Sequence, residues 1–325
     1  MTKRTLQSVL VTSLKSIPSW HLDVTAAFEE AGLTARAFIT TPQTFQEQFS
    51  KRAKKKKWFC SEPVLDRLIN NCREFRPNMI LFLGMFVIPE QIIDRLDNDL
   101  DYRPLLIGWA CDCHREPKFD AWKPAGHVFY FDTFMEKTLP GYYSDSSCCT
   151  YLPLGVSPQR YYDLNTIKGK SLLFVGTLSD NRKEVIDRIM PSIPVEVFGP
   201  RSSRQRSLKR KKLSSEEINS LYNHHLITLN INQPPNTEYG ANMRVFEATG
   251  SGTLLLTQYS ADLEALYTPG TEILIYSSPD ELIELYNRYS VNEPLCTKIA
   301  AAGRRRTLAE HTFFHRINTI LNTLS

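Results

Sequence analysis

Apolar and polar positions along this chain follow two rhythms, and the sequence of rhythms starts again near the middle. Ser8 to Thr12, Thr34 to Ile39, Asn78 to Leu83, Leu105 to Trp109 and Ala125 to Phe131 are short apolar runs of strand length. Between them lie segments with helical spacing. Ser19 to Ala31 is ended by Gly32, Pro63 to Phe75 is apolar at 64, 65, 68 and 69, and Pro89 to Leu96 is a third. Strands that alternate with helices predict parallel crossovers and an open doubly wound sheet. Runs that are apolar throughout suit strands buried on both faces.

Tyr151 to Pro158 is rich in Pro and Gly and reads as a linker. A second series then begins. Strands are predicted at Lys170 to Val175, Val195 to Phe198, Leu226 to Ile231, Thr253 to Thr257 and Glu272 to Tyr276. Helices are predicted at Arg182 to Met190, stopped by Pro191, at Ser214 to His224, and from Ser278 onward. Ser-Ser-Glu-Glu at the head of the Ser214 segment is a capping-box type of start. Lys298 to Leu324 is mostly helical. Two such series predict an α/β protein of two Rossmann-like domains, with a ligand held at strand carboxyl ends in the cleft between them.

Composition agrees. At 325 residues, 42% hydrophobic and 23% charged, the chain is long enough for two soluble domains. Seven cysteines scattered through this length argue for a reducing, cytoplasmic compartment and against a disulfide framework. No signal peptide or apolar run of membrane-spanning length is visible, which leaves peripheral attachment at a membrane as an option.

The stretch most informative about chemistry runs from Tyr239 to Thr257. It opens on the small and polar residues Tyr239-Gly240-Ala241-Asn242. A short helical run follows, with Val245, Phe246 and Ala248 on one side, and it breaks at Gly250-Ser251-Gly252. A helix N-terminus offers free N–H groups and the positive end of a dipole to a phosphate. Glu247, one turn on, can accept hydrogen bonds from sugar hydroxyls. Diphosphate plus ribose outlines a sugar nucleotide. The alternative is a surface helix with a solvated Glu. Arg182 follows the Val175-Gly176-Thr177 turn closely enough to reach a phosphate, or is a surface Arg at a helix start. Arg244 is the other phosphate ligand, or an i to i+3 partner of Glu247.

Four motifs resemble the GT-B glycosyltransferases, and more closely the CgeB-like group named after a spore-maturation protein. They are Leu173-Phe-Val-Gly-Thr177 with Arg182, Leu152-Pro-Leu-Gly-Val156, Asn242-Met-Arg-Val-Phe-Glu247 with Gly250 to Leu256, and His311-Thr-Phe-Phe-His-Arg316. The resemblance covers about residues 152 to 320. It implies an N-terminal acceptor domain over 1–165, a nucleotide-sugar donor domain over 166–307 and a crossing helix over 308–325 that packs back toward the first domain. It also implies transfer from a nucleotide-diphosphate sugar, without a fixed metal ion or other cofactor. Donor binding falls to Gly176, Thr177, Arg182, Asn242, Met243, Arg244 and Glu247, with Glu247 on the ribose. Retaining relatives often carry two glutamates with seven residues between them. With Glu247 as the second, the first falls at Tyr239, one place from Glu238, so retention or inversion stays open.

The acceptor side is less defined. Asp112, after the Leu105 strand, and His114 are the candidate general bases. Cys111-Asp112-Cys113-His114 invites a zinc reading, but the adjacent Cys148-Cys149 is poor geometry for a second ligand pair, and no metal is expected. Six of the seven residues 51–57 are Lys or Arg, against a net charge of +4 for the whole chain. Lys54, Lys55, Lys56 and Lys57 with Trp58 point to a polyanionic acceptor, either nucleic acid or an anionic membrane surface. Arg201 to Lys212 and Arg304-Arg-Arg306 are further basic runs, and each could instead be a solvated loop. Two rival functions fit the same pattern. One is a non-catalytic protein that binds nucleic acid or a partner through these runs, and the other is a sugar-nucleotide epimerase.

Overall fold

The computed structural model describes residues 6–13, 19–40, 62–84, 90–113, 125–138, 146–199, 213–234 and 236–325. The chain forms two compact units. One comprises Met1–Pro153 with Arg316–Ser325, and the other Leu154–His315. The basic residues Lys54 to Lys57, with Trp58, the Arg201 run and His114 lie outside the described residues.

The first unit carries a parallel sheet of six strands in the order β2-β1-β3-β4-β5-β6. Its strands are β1 (Ser8–Ser13), β2 (Thr34–Ile39), β3 (Met79–Leu83), β4 (Leu105–Ala110), β5 (His127–Tyr130) and β6 (Cys149–Tyr151). The helices are α1 (Trp20–Glu30), α2 (Glu62–Phe75) and α3 (Glu90–Asp99). All five residues of β3 are buried, as two-sided helix cover requires. Trp109 on β4 is fully buried, and its indole N–H donates to Leu152 O at 3.1 Å. The expected linker over Tyr151 to Pro158 holds the boundary between the units, at Pro153 and Leu154, but its first residue belongs to a strand. Tyr151 ends β6, which pairs with β5 from Val128↔Cys149 to Tyr130↔Tyr151. Three residues of Cys, Thr and Tyr are too few to show a periodicity, so no pattern announces this strand.

The second unit carries a parallel sheet of five strands in the order β11-β10-β9-β7-β8. They are β7 (Gly169–Val175), β8 (Val195–Phe198), β9 (His225–Asn230), β10 (Leu254–Gln258) and β11 (Leu274–Tyr276). The helices are α4 (Asp180–Ile189), α5 (Ser215–Asn223), α6 (Met243–Gly250), α7 (Leu263–Leu266), α8 (Pro279–Ser290), α9 (Glu293–Glu310) and α10 (Phe313–Leu324), whose last turns belong to the first unit. The core gathers Leu172, Phe174, Ile227, Leu229, Leu254 and Leu256 from the strands with Ile186, Ile189, Leu282 and Ile299 from the helices. Each such side chain contributes about 1.5–3 kcal/mol on burial. The capping box at α5 is present in full. Ser214 Oγ accepts from Glu217 N at 3.1 Å, and Glu217 Oε2 accepts from Ser214 N at 2.7 Å.

Two of the quoted motifs form a clasp within the second unit. Val156 pairs with Thr312, with Val156 N donating to His311 O and Phe313 N to Val156 O, both at 3.0 Å. Gly155 runs so close that a Cβ there would lie 3.0–3.1 Å from the His311–Phe313 backbone. His311 donates through Nε2–H to Leu266 O at 2.8 Å and meets the Phe246 ring edge-on at 5.7 Å. These motifs hold α6 in place, which is a structural duty.

Candidate functional site

In the second sheet the chain leaves β7 toward β8 on one side and later returns to β9 on the other. The carboxyl ends of β7 and β9 therefore flank the topological switch point, where open α/β sheets bind ligands. Gly176 and Thr177 follow β7, and Ile231 to Gln233 follow β9. The Arg182, Asn242, Arg244 and Glu247 side chains all come from helices that begin at this edge.

Close backbone approach at the edge depends on glycine. Gly199, after β8, has φ +121°, and a Cβ on it would fall 2.3 Å from Gly176 O. A Cβ on Gly176 would meet the Arg244 guanidinium at 3.0–3.2 Å. The Arg244 side chain thus lies flat against the Gly176 turn, and its Nε donates to Val175 O. Thr177 is half-buried beside it.

Arg182 is 4% exposed and tied to its surroundings by four N–H bonds. Nε and Nη2 donate to Ile231 O at 3.0 and 2.9 Å, and Nη1 donates to Thr177 O at 3.1 Å and to Gln233 Oε1 at 2.6 Å. The surface-Arg alternative is therefore excluded by burial. One side chain fixes the turns after β7 and β9 to each other. Burial, with Arg244 nearby, pulls its guanidinium down to about 9. Among the described residues neither Arg182 nor Arg244 meets a carboxylate, so the i to i+3 pairing of Arg244 with Glu247 is not formed. Two guanidinium groups close together at a switch point, with no carboxylate bonded to either among the described residues, favour an anionic ligand.

Asn242 is the N-cap of α6. Its Oδ1 accepts from Arg244 N at 3.1 Å, and its Nδ2 donates to Asn230 Oδ1 at 3.0 Å and faces Asn232 Oδ1 at 3.5 Å. Asn230 in turn donates to Thr257 Oγ1 at 3.0 Å. This amide chain locks the head of α6 onto β9 and β10. Met243 is buried at 5% and packs inward.

Glu247 is 8% exposed, which removes the solvated-Glu alternative. Tyr161 Oη donates to its Oε1 at 3.1 Å and Tyr222 Oη to its Oε2 at 3.4 Å. Burial pushes both phenols well above their usual range, and the Glu247 carboxylate pushes them further. Both therefore stay protonated as donors. Arg244 acts in the opposite direction on Tyr222, so guanidinium, phenol and carboxylate share one neighbourhood. The motif reading missed both tyrosines. Tyr222 sits in the last turn of α5 and Tyr161 in an irregular segment, far from Glu247 in sequence, so no spacing connects them.

In the first unit Asp112 is half-buried in a bend just past β4, at the carboxyl end where it was expected. Cys111 and Cys113 on either side are buried, and burial with the Asp112 charge holds the Cys111 thiol far above its ordinary value. Among the described residues no group of three or more His, Cys, Asp or Glu is placed to hold a metal ion. Nor, among them, is any helix long and apolar enough to cross a membrane.

Residues 182–322 match the family model described as glycosyl transferase-like. A sequence comparison with curated proteins finds no match. Solved structures similar to the whole chain include sucrose-phosphate synthase from Thermosynechococcus elongatus, at 14% identity and TM-score 0.69, covering 98% of this chain and 99% of that one. The Anabaena protein HepE in complex with UDP-glucose is 12% identical with TM-score 0.67, covering 98% and 99%. AviGT4, a glycosyltransferase involved in avilamycin A biosynthesis, is 14% identical with TM-score 0.64, covering 98% and 97%. The fold is GT-B.

Proposed function

We propose that the protein is a glycosyltransferase that moves a hexosyl group from a nucleotide-diphosphate sugar to an acceptor, with the donor held by the second unit. The observation that carries this reading is the pair of guanidinium groups, Arg182 and Arg244, at the β7/β9 switch point beside the buried Glu247, neither of them hydrogen-bonded to a carboxylate among the described residues. The family-model match over residues 182–322 and the UDP-glucose in the HepE structure support the same class. Within it, the four motifs favour the CgeB-like group.

Departure of a nucleoside diphosphate leaves negative charge on its outer phosphate. Preorganised cations stabilise that charge most where they need not move. Arg244, stacked on Gly176 with Nη groups left for a ligand, meets the diphosphate directly. Arg182 acts chiefly from behind, holding the turns in register and adding its field. The Gly176 and Thr177 turn and the head of α6 at Asn242 and Met243 supply close backbone. These groups serve in place of a metal ion. Glu247, oriented by Tyr161 and Tyr222, accepts from the ribose hydroxyls. Asp112 is the proposed base for the acceptor hydroxyl, with His114 as second candidate. The acceptor proposed is a polyanion drawn by Lys54 to Lys57 and Trp58, in a cytoplasmic protein that can bind at a membrane surface.

A panel of nucleoside diphosphate sugars with product analysis tests the reading. Release of nucleoside diphosphate with a glycosylated acceptor supports it. Epimerised sugar nucleotide without release would assign the protein to the epimerases on this fold, and no donor binding at all would leave the non-catalytic alternative.

A further inference from the structure

A cavity of about 570 Å³ lies in the same unit at the edge of the sheet opposite the candidate donor site. Its walls include Lys168, just before β7, Leu226 at the start of β9, and Cys296, Ala300, Arg304 and Arg305 along α9. In a parallel sheet all these strand starts fall on one side, so this cavity sits at the amino edge and the donor site at the carboxyl edge. The volume is in the range of small-molecule sites.

The lining is divided. Leu226, Cys296 and Ala300 are buried and make an apolar wall. Lys168, Arg304 and Arg305 bring three cations. The Lys168 ammonium nitrogen is buried and has no hydrogen-bond partner among the described residues. An ammonium without a partner is costly to bury unless something else satisfies it. Asp163 and Glu293 also line the cavity, and Asp163 is already engaged, its Oδ1 accepting from Asn165 N at 2.8 Å. Arg304 donates through Nε to Gly250 O at 3.3 Å, and Arg305 is exposed. Burial lowers the Lys168 ammonium, and Asp163 opposes that only in part.

We infer that this cavity binds a small organic phosphate, its phosphate between Lys168 and Arg305 and its apolar part against Leu226, Cys296 and Ala300. Three cations against two carboxylates favour an anion. A dianion uses two converging cations better than a monoanion does. The four-carbon stem of Lys168 lets the ammonium turn onto an entering phosphate. The inference does not depend on the donor assignment, because the two sites lie at opposite edges of one sheet.

The test uses the full chain with phenyl phosphate, inorganic phosphate and benzoate as probes, read by thermal shift and calorimetric titration. Phenyl phosphate is expected to raise the melting temperature and to bind more tightly than either other probe. Lys168→Met keeps the apolar stem and removes the unpartnered charge. It should melt at or above the wild-type temperature without ligand and lose most of the increment with it. Arg305→Gln, at an exposed position, should weaken phenyl phosphate about tenfold, which is one broken charge-assisted contact. Arg244→Gln, at the other edge, should keep the full increment. The inference is overturned if phenyl phosphate gives no increment at concentrations on the order of 10 mM, if benzoate does as well, or if the increment survives in Lys168→Met and Arg305→Gln. Loss of the increment in Arg244→Gln alone would place the binding at the donor site instead. Should Lys168→Met fail to fold, Arg305→Gln decides.

Discussion

The carboxyl edges of the two sheets carry different polar residues. Among the described residues the edge of the first sheet has the half-buried Asp112 after β4, with Asp132, Ser13 and Thr40 buried beneath it. The edge of the second sheet presents Arg182 and Arg244, with amides from Asn230, Asn232 and Asn242 and the carboxylate of Glu247, clasped by two phenols. The same doubly wound architecture has thus been given two chemistries. A carboxylate edge can take a proton from an acceptor hydroxyl, and a guanidinium edge can hold a departing diphosphate. The difference teaches that the backbone fixes where a ligand goes and the few polar residues after each strand fix its sign.

Substitutions at the two edges should fail in different ways. The largest effect is expected at the first edge. Asp112→Asn should lower turnover about 10²–10⁴-fold while leaving donor affinity unchanged, measured by single-turnover kinetics beside calorimetry. An equal loss of donor affinity would erase the contrast between the edges. At the second edge, Arg182→Met should reduce folding stability by about 3 kcal/mol or more, read by urea denaturation. It strands Ile231 O and Thr177 O in a buried place and releases two turns at once. Stability close to wild type would show that Arg182 is free for a ligand and not a brace. Glu247→Ala should weaken nucleotide binding by about 1.5–3 kcal/mol, roughly tenfold or more. The smallest effect belongs to Tyr161→Phe, which removes one donor to Glu247 and should weaken the same binding by about 1 kcal/mol. A Tyr161→Phe loss as large as that of Glu247→Ala would mean that the phenol touches the ligand itself.

Much of this was legible from the chain. The two strand-helix series, the restart at Lys170, the capping box at Ser214 and the helix after Asn242 all follow from periodicity and end signals, because each is a local property. Strand β6 was not legible, since its three residues owe their pairing to β5 and to no pattern of their own. In the candidate site, Arg182, Arg244 and Glu247 could be picked out as chemistry at a switch point, but their partners could not. Whether Arg182 lies on the surface or braces Ile231 and Gln233 depends on contacts across some fifty positions of sequence. The grip on Glu247 is equally non-local, 86 positions away for Tyr161 and 25 for Tyr222. Long-range hydrogen bonds between single residues leave no spacing to read.

The central claim is that the second edge binds a diphosphate through Arg244. Calorimetry with the tightest-binding nucleoside diphosphate and its parent nucleoside, on wild type and Arg244→Met, tests it most directly. The account predicts that wild type prefers the diphosphate by about tenfold or more. In Arg244→Met that preference should collapse while nucleoside affinity holds. A diphosphate preference undiminished in Arg244→Met would contradict the account.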